Sequence, residues 1–124
     1  MSEINQEYQA MIVENKSKFI AIAFPIHSVE EFKDKLKIIA KEHHKARHIV
    51  YAYHIDMITK STDNGEPKGT AGRPLLELLL KKDINNIAIV VVRYFGGTKL
   101  GAGRLLRTYV QAGVNVINKL EENN

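Results

Sequence analysis

Cysteine is absent from this chain of 124 residues. Its absence excludes disulfide bonds, thiolate metal ligands and a cysteine nucleophile, and it fits a reducing compartment. Long apolar runs are also missing, because the longest aliphatic stretch, residues 87–92, is far too short to cross a bilayer. The first seven residues are polar and acidic and do not resemble a signal peptide. We therefore expect a cytoplasmic protein with no membrane partner.

Carboxylates are absent from residues 84–120, although this stretch holds five cations. The rest of the chain holds 13 cations and 14 acids, so the whole net charge of +4 comes from this one stretch. Two interpretations remain open. The stretch either forms a solvated helix face that happens to lack acids, or it forms a surface that faces an anion.

The hydrophobic pattern predicts a single α+β domain over residues 1–124, with 119–124 as a frayed tail. Strands are expected over 8–14, 18–26, 48–56 and 87–95, and helices over 28–44, 74–80 and 102–120. The last strand is β-branched and has no polar alternation before Arg93, which is typical of a central strand covered on both faces. The order predicts a mixed sheet of about four strands packed by three helices. The last helix is expected to bury Leu106, Tyr109, Val110, Gly113, Val116, Ile117 and Leu120.

Two glycine-rich segments, residues 63–74 and 96–104, hold seven of the eight glycines and lead into helices. A helix N-terminus has unpaired N–H groups and a partial positive charge, and glycine lets an anion approach the backbone. The candidate binding-loop residues are Asp63, Gly65, Glu66, Gly69, Thr70, Gly72, Gly96, Gly97, Gly101 and Gly103. The candidate anion-binding or nucleic-acid-binding cations are Arg73, Arg93, Lys99, Arg104 and Arg107. The alternative is that these glycines serve only tight turns and close helix–strand packing.

Neither glycine segment matches a nucleotide-binding motif. Thr70 stands where a P-loop would need its second glycine, and Leu106 stands where a dinucleotide fingerprint would need its third. Three histidines, at positions 43, 44 and 48, lie close in sequence but lack the His-Glu-x-x-His pattern. We therefore expect no metal and no cofactor.

Three residues in the sequence are candidates for catalysis. Asp63 and Glu66 could form a general acid–base pair, with His48 nearby. Asp63-Asn-Gly is also a strong turn signal, because an aspartate side chain bonds the backbone of its own turn. The turn interpretation is favoured, and a non-enzymatic function is favoured over an enzyme.

Five motifs resemble the IMPACT (YigZ-type) family. They are Asp63-Asn-Gly-Glu-Pro-x-Gly-Thr-Ala-Gly-x-Pro74, Val91-Val-Arg-Tyr-Phe-Gly-Gly97, Leu100-Gly-x-Gly103, Lys16-Ser-Lys-Phe-Ile-Ala21 and Ala46-x-His-x-x-Tyr-Ala-Tyr53. The resemblance spans roughly residues 8–118, nearly the whole chain. It implies a fold like the second domain of ribosomal protein S-five, with a left-handed β-α-β crossover. Eukaryotic members add an N-terminal domain, and bacterial members usually add a C-terminal ferredoxin-like domain.

The resemblance implies a role in the regulation of translation. Eukaryotic members act in the amino-acid-starvation response by binding the ribosome-associated activator of the starvation kinase. We therefore expect a protein, with a monomer favoured, that contacts RNA, the ribosome or a translation-associated protein through the glycine loops and their cations. The alternative is an enzyme or small-ligand binder that holds a phosphorylated or acidic ligand there. A closed pocket of roughly a few hundred Å³ would favour the ligand, and an open basic groove would favour the macromolecule.

Overall fold

The computed structural model describes residues 4–123, which form one five-stranded sheet and three helices. In chain order the elements are β1 (Tyr8–Glu14), β2 (Ser17–Pro25), α1 (Val29–Glu42), β3 (His48–Ile55), β4 (Ile58–Thr62), α2 (Gly72–Lys81), β5 (Ile87–Tyr94) and α3 (Ala102–Glu122). The strand order is β1-β2-β5-β3-β4, and every neighbouring pair is antiparallel. The α+β class is confirmed.

The predicted mixed, four-stranded sheet is wrong in strand number and in strand pairing. The additional strand, β4, is an edge strand whose first three residues, Ile58 to Lys60, are exposed, so it has no buried face to produce an apolar alternation. The parallel strands β2 and β3 do not pair, because β5 lies between them and bonds both in the antiparallel sense.

Strand β5 is the central strand, as predicted. All of its residues from Ile87 to Arg93 are buried. Ile87, Ile89 and Val91 lie in the core beneath α2 and α3, while Ala88, Val90 and Val92 lie in the core beneath α1. The β-branched side chains therefore fill two cores, one on each face of the sheet.

The helices follow the predicted pattern with two corrections. In α3, Leu105 is buried and the predicted Leu106 is 37% exposed, because Leu105 lies one turn before the fully buried Tyr109 and shares its face. The tail that was predicted to be frayed is helical as far as Glu122. Within it, Leu120 is buried and Lys119 Nζ donates to the Gln9 carbonyl oxygen at 2.6 Å. The last residue of that tail, at position 124, lies outside the described residues.

One connection in this sheet must be left-handed. Helix α1 joins the parallel strands β2 and β3 across one face, and α2 joins the parallel strands β4 and β5 across the other. The two connections differ in strand direction, in the direction of travel across the sheet and in the face they cover. Three such reversals make their hands opposite, so one of them departs from the usual right-handed rule. A left-handed crossover is the feature that the family resemblance implies.

None of the helices within residues 4–123 combines the length and the apolar character that a membrane span requires.

Candidate functional site

The two glycine segments meet at one end of β5 and border a half-open pocket of about 390 Å³. Residues 65–67 form one wall, and residues 99–102 form the opposite wall. Arg47 and His48, at the start of β3, complete the rim, and Phe95 and Leu105 contribute apolar surface. The pocket therefore lies between the two loops that the sequence marks out.

A buried charge cluster forms the floor of this pocket. Arg93 Nη1 donates to both carboxylate oxygens of Glu66, at 2.9 and 2.8 Å, and the two residues are only 5% and 7% exposed. The Tyr109 hydroxyl donates to Glu66 Oε2 from the fully buried side of α3. Burial raises the pKa of Tyr109, and its hydrogen bond to Glu66 raises that pKa further, so Tyr109 keeps its proton and remains a donor.

His48 links this cluster to the first glycine loop. Its Nδ1 lies 2.8 Å from the Asn64 carbonyl oxygen, and because a carbonyl only accepts, Nδ1 carries a proton and donates. The other ring nitrogen, Nε2, lies 3.4 Å from Glu66 Oε1. The Asn64 side chain in turn accepts from the Ile49 N–H at 3.0 Å. The first residues of β3 therefore fix both the loop and the carboxylate.

Asp63 shapes the first loop from inside. Its Oδ2 accepts from the Gly69 N–H at 2.9 Å, and its Oδ1 accepts from the Ala71 and Gly72 N–H groups at 3.1 and 2.9 Å. The carboxylate therefore closes the loop and caps the start of α2, where no other side chain provides a cap. This is the turn role rather than the acid–base role, and Asp63 does not line the pocket.

Asp63→Ala is expected to lower the free energy of unfolding by about 2 kcal/mol, because three backbone N–H groups lose their acceptor. Asp63→Asn keeps one carbonyl-type oxygen for Ala71 and Gly72, so it should cost clearly less. Urea denaturation of the two variants and the parent measures the difference. Equal losses in the two variants would contradict the proposed pair of bonds to Oδ1.

Of the sequence-predicted site residues, some line the pocket and others do not. Those that line it are His48, Gly65, Glu66, Arg93, Lys99 and Gly101. Those that lie elsewhere are Asp63, Gly69, Thr70, Gly72, Arg73, Gly96, Gly97, Gly103, Arg104 and Arg107. The hydroxyl of Thr70 bonds the Pro67 carbonyl within its own loop, at 2.5 Å.

Two glycines serve close packing rather than ligand approach. A Cβ on Gly72 would overlap the backbone of Thr62 in β4, and a Cβ on Gly96 would overlap the backbone of Lys16 in the β1–β2 turn. The Gly96 N–H also donates to the buried Ser17 hydroxyl at 3.1 Å. The packing interpretation of the glycines therefore holds at these two positions.

The predicted cations divide into separate groups. Arg93 is buried against Glu66, Arg73 lies beside Glu77 at 3.2 Å, and Arg104 lies 3.7 Å from Glu14. Arg107 lines a surface hollow with Arg104, on the side of α3 that faces β1. Lys99 is therefore the predicted cation that is both exposed and at the pocket.

Sequence reasoning missed Arg47, Phe95 and Tyr109 as site residues. The Arg47 guanidinium lies 4.6 Å from the centre of the Phe95 ring, which holds this exposed cation at the rim. One signal was available for the floor, since Arg93 is the single charge in a buried strand and such a charge requires a partner. Nothing in the spacing identifies Glu66 as that partner.

The histidines form no metal site among residues 4–123, where no three potential ligand side chains are grouped to hold an ion. His43 Nδ1 lies 2.6 Å from the Tyr94 hydroxyl, and His54 Nδ1 lies 2.9 Å from the Ile84 carbonyl oxygen. The absence of a metal stays a prediction.

A family model and the curated relatives all point to the same family. Residues 15–117 match the family model described as the Impact N-terminal domain. The chain is 44% identical over 116 residues to the IMPACT family member YvyE of Bacillus subtilis, covering 89% of this chain and 54% of that protein. It is 39% identical over 105 residues to the IMPACT family member YigZ of Escherichia coli, covering 81% and 51%. The chain spans about half the length of these curated relatives.

Two solved structures share the fold. A crystal structure of a hypothetical protein matches with a TM-score of 0.91 and 31% identity, over 94% of this chain and 59% of that one. A structure of the two-domain translational regulator Yih1 matches with a TM-score of 0.55 and 24% identity, over 94% of this chain and 49% of that one. The second similarity shows the fold alone.

Proposed function

Because this chain belongs to the Impact N-terminal domain family, we propose that it is a translation-regulatory module that binds RNA at the pocket between its glycine loops. The observation that carries the proposal is the charge of that pocket. Two exposed cations, Arg47 and Lys99, stand at the rim, while Glu66 is the one carboxylate among the described residues that line it. Since Arg93 neutralises Glu66 from below, the surface offered to a ligand is cationic.

The link to translation comes from a protein that shares the fold. Yih1, which shares the fold, is described as a translational regulator, and its two-domain chain is about half covered by this one.

The link to RNA comes from the rim. An arginine guanidinium is planar and always charged, and it can stack on a base while its N–H groups reach a phosphate. Arg47 is held in a stacked position by Phe95 and is exposed. Lys99, in the second glycine segment, adds another positive charge at the pocket. Single-stranded nucleic acids bind to such combinations of cations and flat side chains.

Arg47→Ala combined with Lys99→Ala is expected to weaken binding of a short single-stranded RNA. Affinity falls as salt rises, and a plot of log affinity against log salt should become less steep by about 0.7 for each phosphate that the variant no longer neutralises. Fluorescence anisotropy at several salt concentrations measures both quantities. The matched control is Arg104→Ala combined with Arg107→Ala, which removes the same charge from the β1 side of α3 and should retain most of the affinity.

The control variant also shows which surface binds the RNA. If the Arg104 and Arg107 double variant loses the binding and the Arg47 and Lys99 variant does not, RNA lies on the flank of α3 instead. If neither variant changes the affinity or the salt slope, the RNA proposal fails for this whole surface.

A second candidate is a phosphorylated small ligand. A volume of about 390 Å³ lies within the range of small-molecule sites, roughly 300–1,000 Å³.

A further inference from the structure

The N-terminus of α3 opens into the pocket without a cap. Gly101 occupies the N-cap position and has no side chain to accept from the first N–H groups, and the first turn holds no acid. Gly101 and Ala102 both line the pocket. The helix continues for 21 residues, so the partial positive charge of its N-terminus faces the space between the loops.

Arg93 gives a second, independent indication of a ligand. Arg93 is only 5% exposed and lines the pocket, and its guanidinium bonds Glu66 through Nη1. Its Nε is buried without a hydrogen-bond partner among residues 4–123. Buried donors are normally satisfied, and a guanidinium has five of them. This floor therefore has donor capacity that the protein leaves unused.

The apolar walls of the pocket indicate the chemistry of the rest of the ligand, beyond its anionic group. Phe95, Leu100 and Leu105 supply apolar surface, and Pro67 faces them from the first loop. An inorganic phosphate would occupy only part of about 390 Å³ and would leave these side chains in contact with water. A ligand with an anionic end and a flat, mostly apolar body would use both halves of the pocket.

We infer that the pocket captures a single nucleotide, with its phosphate at the N-terminus of α3 and its base against Phe95 and Leu100. Lys99 lies two residues before Gly101 and adds positive charge on the phosphate side, while Arg47 contacts the Phe95 ring and lies on the base side. The pocket would hold this unit without a P-loop or a dinucleotide fingerprint. The inference rests on the proposed function where the nucleotide belongs to an RNA strand. A free nucleoside monophosphate offers the same chemistry, and the experiment separates the two sources.

The test places a carboxylate where the phosphate would bind. Ala102→Glu at the first position of α3 is expected to weaken binding of the four ribonucleoside 5′-monophosphates by at least about tenfold, through repulsion at close range. Ala102→Gln has nearly the same shape as Ala102→Glu without the charge, so it controls for the added bulk and should retain clearly more affinity than Ala102→Glu. Gly103→Glu adds the same charge one residue away from the pocket lining and should have a smaller effect. Amide chemical shifts of residues 99–104 during titration give the affinities.

Loss of folding is separable from loss of binding. A negative charge in the first turn stabilises a helix, so Ala102→Glu should unfold at a temperature no lower than that of Ala102→Gln. Titrations with nucleosides and with inorganic phosphate should both be weaker than those with the monophosphates, because each probe uses only one half of the pocket.

The possible results distinguish the nucleotide inference from the RNA proposal. If the parent and Ala102→Glu bind the monophosphates equally, the inference is overturned. RNA that binds the parent and Ala102→Glu alike, without monophosphate binding, overturns the inference and leaves the RNA proposal standing. If Ala102→Glu weakens monophosphate binding and RNA does not bind the parent, the ligand is a free nucleotide and the RNA proposal is rejected. Binding of neither probe rejects both.

Discussion

Arg93→Met is expected to lower the free energy of unfolding by about 3–5 kcal/mol, because it leaves the Glu66 carboxylate buried without its cation. The Tyr109 hydroxyl would remain as a hydrogen-bond donor to Glu66, but it carries no charge. Chemical denaturation measures the loss. The matched control is Arg73→Met, which breaks an exposed pair with Glu77 one helical turn away and should cost no more than about 0.5 kcal/mol.

A double variant tests whether the loss comes from the unpaired charge. Glu66→Gln combined with Arg93→Met removes both charges while keeping an oxygen that can accept from Tyr109. It should be more stable than Arg93→Met alone, although it carries one substitution more. If the double variant loses the sum of the two single losses, the residues do not stabilise the pocket floor as a pair.

Gly96→Ala is expected to destabilise the fold by about 3 kcal/mol or more, because the new methyl group overlaps backbone that has no room to move. The overlapping atoms belong to Lys16, in the turn between β1 and β2, and to Ser17, the first residue of β2. The same shift would disturb the hydrogen bond from the Gly96 N–H to Ser17. Thermal unfolding measures the loss, and chemical shifts of the β1–β2 turn locate it.

Two other glycines of the 96–104 segment, one in the loop and one in the first turn of α3, provide controls. A Cβ on Gly103 meets only the end of the Arg107 side chain, at 3.5 Å, so Gly103→Ala should be neutral or stabilising by up to about 1 kcal/mol. A Cβ on Gly97 meets nothing within 4 Å, but the residue has a φ of +94°, so Gly97→Ala should cost about 1–2 kcal/mol in strain. A Gly96→Ala variant as stable as Gly103→Ala would contradict the close approach.

Sequence patterns predicted the parts of the fold that have a buried face. Strand β5 and the amphipathic stripe of α3 were identified because burial imposes a period on their side chains. Strand β4 lacks a buried face, so no period marks it. The phase of α3 was wrong by one residue at its start, since Leu105 and Leu106 are adjacent leucines and the pattern alone does not decide which one faces inward.

The candidate site was predicted as two loops but not as a set of contacts. Glycine content and the missing acids located the loops and the excess of positive charge. The contact of Glu66 with Arg93 joins residues 27 positions apart, and Arg47 reaches the rim only because β3 lies beside β5. Such contacts depend on the strand order, which local spacing does not reveal.

The strand order also determines when the sheet can be completed as the chain is synthesised. Strands β1 and β2 form one hairpin and β3 and β4 another, and only β5 bonds the two hairpins to each other. Until residues 87–94 have left the ribosome, the inner edges of β2 and β3 are unpaired and apolar. Open edges of this kind can pair with another chain. We therefore expect the insertion of β5 to be a late, long-range step that closes both open edges.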